Sequence, residues 1–185
     1  MNKRFRILIP FAAIVLFALT FGAIVVRAQP SGRAIPEAAS YEAVLGKSLD
    51  DAEVTDFIAI NRCASTGRFQ LCNAAGIVLL IGESQKVDTV YLYPNAIADF
   101  AAYKGKLPLG LSSNDTMAGV EEKLGQPKVD QAPQAGWQPG LPDESGTPDH
   151  VHSWAMYKRF GLTIVYNSPS TTDKGATIYA ILVSR

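Results

Sequence analysis

The 185-residue chain is 48% hydrophobic, 18% charged and 9% aromatic, a composition that suits a globular protein and excludes disordered, collagen-like and multi-pass membrane classes. Its formal net charge is zero, yet Lys3, Arg4, Arg6 and Arg27 fall in the first 28 residues with no acidic side chain among them, which leaves 13 basic against 17 acidic groups in the remainder. A mildly acidic domain lacks the clustered basic surface that phosphate binding needs, so nucleic acid is excluded as a partner.

The N-terminus reads as a basic stretch followed by an apolar run from Ile7 to Val26 and then Val26-Arg27-Ala28. Small residues before Gln29 suit cleavage of a signal peptide after Ala28. The run is also long enough for a retained membrane anchor. Residues 1–28 are therefore a signal peptide or an N-terminal anchor, and in either case the domain is exported, to the periplasm, the extracellular space or the outer face of the cytoplasmic membrane. No cysteine lies near the end of the run, so a lipid-modified N-terminal cysteine is not expected. Residues 29–40, with Pro30, Gly32 and Pro36 among small residues, read as a flexible linker.

The compact domain spans 41–185. Asp50 and Glu53 are placed to form a capping box for a short helix from Asp51 to Asn61, with Val54, Phe57 and Ile58 at helical spacing. The two cysteines, Cys63 and Cys72, stand nine positions apart, and in an exported domain such a pair forms a disulfide that pins a turn. A redox or metal pair would be expected to show tighter spacing or a neighbouring histidine. Runs at 76–81 and 87–93 are β-branched and aromatic and flank a polar turn, predicting a hairpin.

The second half repeats the order. Leu109-Gly110-Leu111-Ser112 leads to the cap candidates Asn114 and Asp115, then Met117, Val120 and Leu124 at helical spacing, with Gly125 and Pro127 as a stop. Strands follow at 151–157, 161–166 and 176–183. The expectation is an α+β fold, one antiparallel sheet with two short helices on one face, made of two helix-plus-hairpin pseudo-repeats, 41–103 and 104–185.

Gly110-Leu111-Ser112, Val120 and Leu124-Gly125-Gln126-Pro127 form a pattern similar to the signature of the superfamily that holds the β-lactamase-inhibitory-protein-like and SmpA/BamE-like exported modules. The resemblance covers about 18 residues, and the Gly110-to-Val120 spacing is about one helical turn longer than the family pattern. It implies an exported helix-plus-sheet module, single or in tandem, that binds other proteins and performs no catalysis.

No nucleotide-binding loop, Gly-x-Ser-x-Gly elbow, Ser-x-x-Lys or His-Glu-x-x-His occurs, and no cofactor is expected. His150 and His152, the only histidines, would share one face of a strand, with Asp143, Glu144 or Asp149 as a further ligand, so a small metal-dependent enzyme is an alternative reading. The plainer reading stacks His152 on the sheet beside Trp154 and Met156.

The Pro- and Gly-rich stretch 127–149 is a long loop with Trp137 at its middle, either a rigid contact for a partner or an anchor onto the domain. Tyr91 and Tyr93 share a strand face opposite Val90 and Leu92. If helices cover the latter, the tyrosines lie on the open sheet face beside Trp154 or Tyr179. Tyr91, Tyr93, Trp137, Trp154 and Tyr179 are the candidate protein-binding residues. The functional expectation is a non-catalytic module, an inhibitor or immunity protein, that engages another envelope or extracellular protein. An envelope assembly or scaffold role is the alternative, and contact with membrane comes only through residues 1–28.

Overall fold

The computed structural model describes residues 40–127, 129–131 and 152–185, with backbone alone for 129–131. The expected export segment, most of the linker, Trp137 and His150 lie outside the described residues. Among the described residues no helix is long and apolar enough to cross a membrane.

A 3-10 turn at Tyr41–Ala43 precedes helix α1 (Ala52–Ile60). Then come strands β1 (Ala64–Thr66), β2 (Phe69–Cys72), β3 (Ile77–Ile81) and β4 (Val87–Leu92). Helix α2 (Met117–Leu124) leads to β5 (Val129–Gln131), β6 (Ser153–Tyr157), β7 (Leu162–Tyr166) and β8 (Ile178–Ser184). The fold is α+β. The eight strands among the described residues form one sheet in the order β1-β2-β3-β4-β8-β7-β6-β5, and every ladder in it is antiparallel.

Alternation along the strands divides the sheet into two apolar faces. Ile77, Leu79, Val90, Leu92, Ile164 and Ile181 point to one face, and the buried helix residues Val54, Phe57, Met117, Val120 and Leu124 pack into the same cluster. The two helices thus cover one side. Val78, Tyr91, Val165, Ala180 and Leu182 point to the other, where a second cluster forms.

Three local expectations are corrected. Asp50 does not cap α1: Asp51 is the N-cap residue, and its carboxylate turns back to accept from the Ser48 N–H at 2.9 Å. Glu53 is drawn away from any capping box by Lys47, whose Nζ lies 2.7 Å from its carboxylate. The second helix starts one residue later than its cap candidates, at Thr116, whose hydroxyl accepts from the Gly119 N–H, while Asp115 accepts from the Ser112 N–H at 2.8 Å.

The cysteine segment is more than a turn, because β1 and β2 pair as a hairpin around Gly67, which takes a positive φ of 58°. The Cys63–Cys72 disulfide ties its base to the end of α1. A further correction is β5, an edge strand inside the stretch read as loop; it pairs with β6 over Val129 to Gln131.

Two turns have nearly the same geometry. Between β2 and β3 a 3-10 turn, Asn73–Ala75, is preceded by Cys72 at φ −102°, ψ 64° and closed by Gly76 at φ 67°. Between β6 and β7 the turn Lys158–Phe160 is preceded by Tyr157 at φ −106°, ψ 67° and closed by Gly161 at φ 64°. The five-residue strand after each turn carries an irregularity at its last step, Leu80/Ile81 and Val165/Tyr166.

The disulfide closes a short loop, and a link of this length stabilises a fold by about 3 kcal/mol through the unfolded chain. Replacing both cysteines by serine should therefore lower the unfolding free energy by about 2 to 3 kcal/mol and leave the far-ultraviolet circular dichroism unchanged. Urea unfolding of the two proteins checks this.

Candidate functional site

The face opposite the helices is an aromatic layer. On β4 the alternation sends Tyr91, with Tyr93 just beyond the strand end, to this side, and the register pairs Val78 with Tyr91 and Tyr91 with Leu182. On β6 the same parity brings Trp154 and Met156 to it, with His152 just ahead of the strand against Tyr179, and Trp154 pairs with Val165. Tyr179, on β8, completes the set.

The rings meet directly. Tyr93 lies edge-on to Tyr179 with centroids 6.2 Å apart, and the His152 ring stacks on Tyr179 at 3.9 Å. Its Nδ1 is 3.1 Å from the Tyr166 carbonyl, a bond that fixes the imidazole against the sheet. Aromatic pairs in such offset and edge-to-face arrangements add about 0.5 to 1.5 kcal/mol beyond the area they bury.

Four of the five candidate binding residues, Tyr91, Tyr93, Trp154 and Tyr179, share one face; alternation takes the first three there, and the register shift at Val165/Tyr166 takes Tyr179 there beside Ala180. That face is less open than expected: Tyr91 is 3%, Tyr93 0% and Trp154 5% exposed. Part of the cause lies in the connection after β4. The chain makes a tight turn at Ile97 to Phe100, with Ala98 at φ 46°, and folds back so that Phe100 lies on Tyr93 at 4.7 Å between centroids. Phe69 from β2 meets Tyr91 edge-on at 6.4 Å. The partly buried members Phe69, Leu80, Met156 and Tyr179 form the accessible fringe.

Sequence reasoning missed Phe69 and Phe100. Phe69 lay in a segment read as a turn, and its alternation with Leu71 was the available signal. Phe100 follows an Asn-Ala-Ile-Ala-Asp stretch with no period, and only the fold-back brings it to the layer.

His152 is buried against Tyr179, with 7% exposure. Its prospective partner His150 lies outside the described residues. Among the described residues no group of three His, Cys, Asp or Glu side chains is placed to hold a metal ion. Compared with known proteins, the chain matches no protein-family model, no curated protein and no solved structure.

Burial also governs the tyrosine hydroxyls. Desolvation pushes the Tyr91 pKa above its ordinary 10.0, with the Arg68 cation opposing it. Tyr103 is raised by burial and then by the Glu42 carboxylate, and Tyr41 is raised by burial first and by its hydrogen bond to Glu42 next.

A raised phenol pKa means that the unfolded chain releases protons near pH 10.0 while the folded chain still holds them. Stability contributed by these groups is intact below pH 10.0 and is lost as pH rises beyond it. A spectrophotometric titration should show Tyr41, Tyr91 and Tyr103 ionising later than free tyrosine, or only together with unfolding. Their ionisation at pH 10.0 with the fold retained would contradict the burial argument.

Proposed function

We propose that this chain is an exported or membrane-tethered, non-catalytic protein-binding module of the cell envelope, acting as an inhibitor or immunity protein against another envelope or extracellular protein. The observation that carries the reading is the aromatic layer on the sheet face away from the helices. Large rings with few rotatable bonds lose little entropy on contact and dominate binding energy where they are found at interfaces. The fringe of Phe69, Leu80, Met156 and Tyr179 offers such contacts at the surface, and Trp137 is the further candidate that the sequence supplies.

Export is supported by two independent features. One is the basic-then-apolar N-terminus ending at Ala28. The other is the Cys63–Cys72 disulfide, since such bonds persist in oxidising compartments.

The domain itself we read as two copies of one helix-plus-hairpin unit, 41–103 and 104–185. Support comes from the matched turns at Gly76 and Gly161, the matched irregularities one strand later, and the matched Ser48–Asp51 and Ser112–Asp115 bonds ahead of the helices. This layout, with Gly110-Leu111-Ser112 and Leu124-Gly125-Gln126-Pro127, is the ground for relating the chain to the β-lactamase-inhibitory-protein-like and SmpA/BamE-like modules.

Two experiments test the reading. Expression of the full chain in a bacterial host should give a periplasmic product that begins at Gln29, or a membrane-held product with the disulfide formed; reduced protein confined to the cytosol would sink export. Immobilised oxidised protein should capture one stoichiometric partner from the envelope fraction of the source organism. Tyr179→Ala and Trp137→Ala should each weaken that capture about tenfold, an effect of roughly 1.4 kcal/mol. Undiminished capture by both variants would remove this face as the binding surface, and the partner's identity separates inhibitor from assembly factor.

A further inference from the structure

On the helix-covered side the end of α1 stands beside a cleft of about 450 Å³, a volume within the range of small-molecule sites. Three pieces of chain build it: the last turn of α1, the 3-10 turn Asn73–Ala75 with the start of β3, and the strap that runs through Tyr103 to Gly105. The disulfide joins the first two. Asn61 and Arg62, just before Cys63, form one wall, and Ala74 and Ala75, just after Cys72, form the other.

The strap is equally fixed. Its Ala101 N–H donates to the Asn73 carbonyl and its Tyr103 N–H to the Tyr93 carbonyl, each at 2.8 Å. It crosses directly over Gly76, where a Cβ would fall onto the Ala101 carbonyl. The cleft is therefore held open by covalent and backbone bonds before any ligand arrives, which reduces the ordering cost of binding.

Its chemistry is one-sided. Ile60 and the Tyr103 ring supply an apolar floor over the buried Phe57 and Ile77, Arg62 and Lys104 stand at the edge, and among the described residues no carboxylate lines it. Three other surface lysines are neutralised, Lys47 by Glu53, Lys123 by Asp115 and Lys174 by Glu121. Arg62 and Lys104 are in no ion pair among the described residues.

Arg62 is also held at φ 51°, a left-handed conformation that is costly for a side chain with a Cβ and that concentrates at functional positions. The negative end of the α1 dipole does not oppose an anion strongly here, because its last carbonyls are used. Asn61 donates to the Phe57 carbonyl through both its N–H and its side-chain amide, the latter at 2.8 Å, and the Cys63 N–H donates to Ile58.

We propose that this cleft binds a small amphiphilic carboxylate, a medium-chain fatty acid, with its tail along Ile60 and the Tyr103 ring, above the buried Phe57 and Ile77, and its head between Arg62 and Lys104. The site is separate from the aromatic layer and does not depend on the protein-binding reading. Failure of either leaves the other standing.

The test uses the oxidised full chain, titrated with octanoate and in parallel with 1-octanol, and followed by backbone amide ¹H–¹⁵N shifts. Octanoate should give saturable shifts at Ala74, Ala75, Lys104 and Gly105. The neutral alcohol should bind at least about tenfold more weakly, as should the Arg62→Gln/Lys104→Gln double variant, whose exposed side chains can change without loss of fold. Lys86→Gln, an exposed lysine away from the cleft, should bind as the parent does. Equal binding of alcohol and carboxylate, an unaffected double variant, shifts confined to the aromatic layer, or no saturable shifts at all would each overturn the proposal.

Discussion

The ladder between β4 and β8 is the contact on which the architecture depends. Four pairs, Thr89 with Ser184, Val90 with Val183, Tyr91 with Leu182 and Leu92 with Ile181, join what would otherwise be two four-stranded sheets. Each would present an edge of unpaired backbone groups, a template for unwanted strand addition. The ladder also sets parity. Because successive side chains point to opposite faces, pairing Tyr91 with Leu182 sends both to the aromatic layer and leaves Val90, Leu92, Ile181 and Val183 for the helices. A slip by one residue would exchange the two sets and place a tyrosine under α1 or α2. The hydroxyls of Thr89 and Ser184, 2.9 Å apart, mark one end of the correct register.

With parity fixed, the two glycine turns do different work from the same geometry. At Gly76 the backbone pressed against the turn is the strap at Ala101 to Tyr103, so the missing side chain there allows the cleft wall to close. At Gly161 it is the Ser184 carbonyl, and the Ser184 N–H donates back to the Gly161 carbonyl at 2.8 Å, so the missing side chain there lets the last strand finish its ladder. Left-handed backbone is tolerated by glycine at little cost, and close approach by another chain segment gives a second reason for the absence of a Cβ. The two halves thus share a local solution and differ in what leans on it.

Much of the sheet was legible because its central strands are short, apolar and β-branched. Ile77 to Ile81 and Leu162 to Tyr166 have no competing helical period, and each follows a glycine that breaks what comes before. The helices were legible from Val54 and Phe57 and from Met117, Val120 and Leu124. Cap positions were not, since Asp51 and Asp115 both turn back to a serine N–H three residues earlier, and Lys47 takes Glu53. Strands β1 and β2 were hidden by a polar hairpin whose exposed face, Ala64-Ser65-Thr66, carries no hydrophobic alternation. The aromatic face could be deduced from the spacing of Tyr91 and Tyr93, but its burial could not, because Phe100 reaches Tyr93 through a turn without sequence period. The cleft had no local signature: Arg62, Ala75 and Lys104 meet only after the disulfide and the strap bring three segments together.

The distribution of polar groups separates what the fold needs from what it does not. The ion pairs near the helices, Lys47 with Glu53, Lys123 with Asp115 and Lys174 with Glu121, are surface contacts that typically contribute under about 1 kcal/mol each, and they neutralise the charge there. The helix-covered face of the sheet is sealed by apolar residues. Two features have no such structural task. The accessible fringe of the aromatic layer keeps Leu80 and Met156 partly at the surface, where a threonine or lysine would serve a sheet equally well. The end of α1 keeps Ile60 39% exposed beside two cations and a rigid cleft. Stability alone would favour a polar residue at Ile60 and a glycine or asparagine at the left-handed Arg62. Both departures line the cleft whose walls the disulfide and the strap hold in place, and together with its two cations they support the reading that the end of α1 is shaped for a ligand.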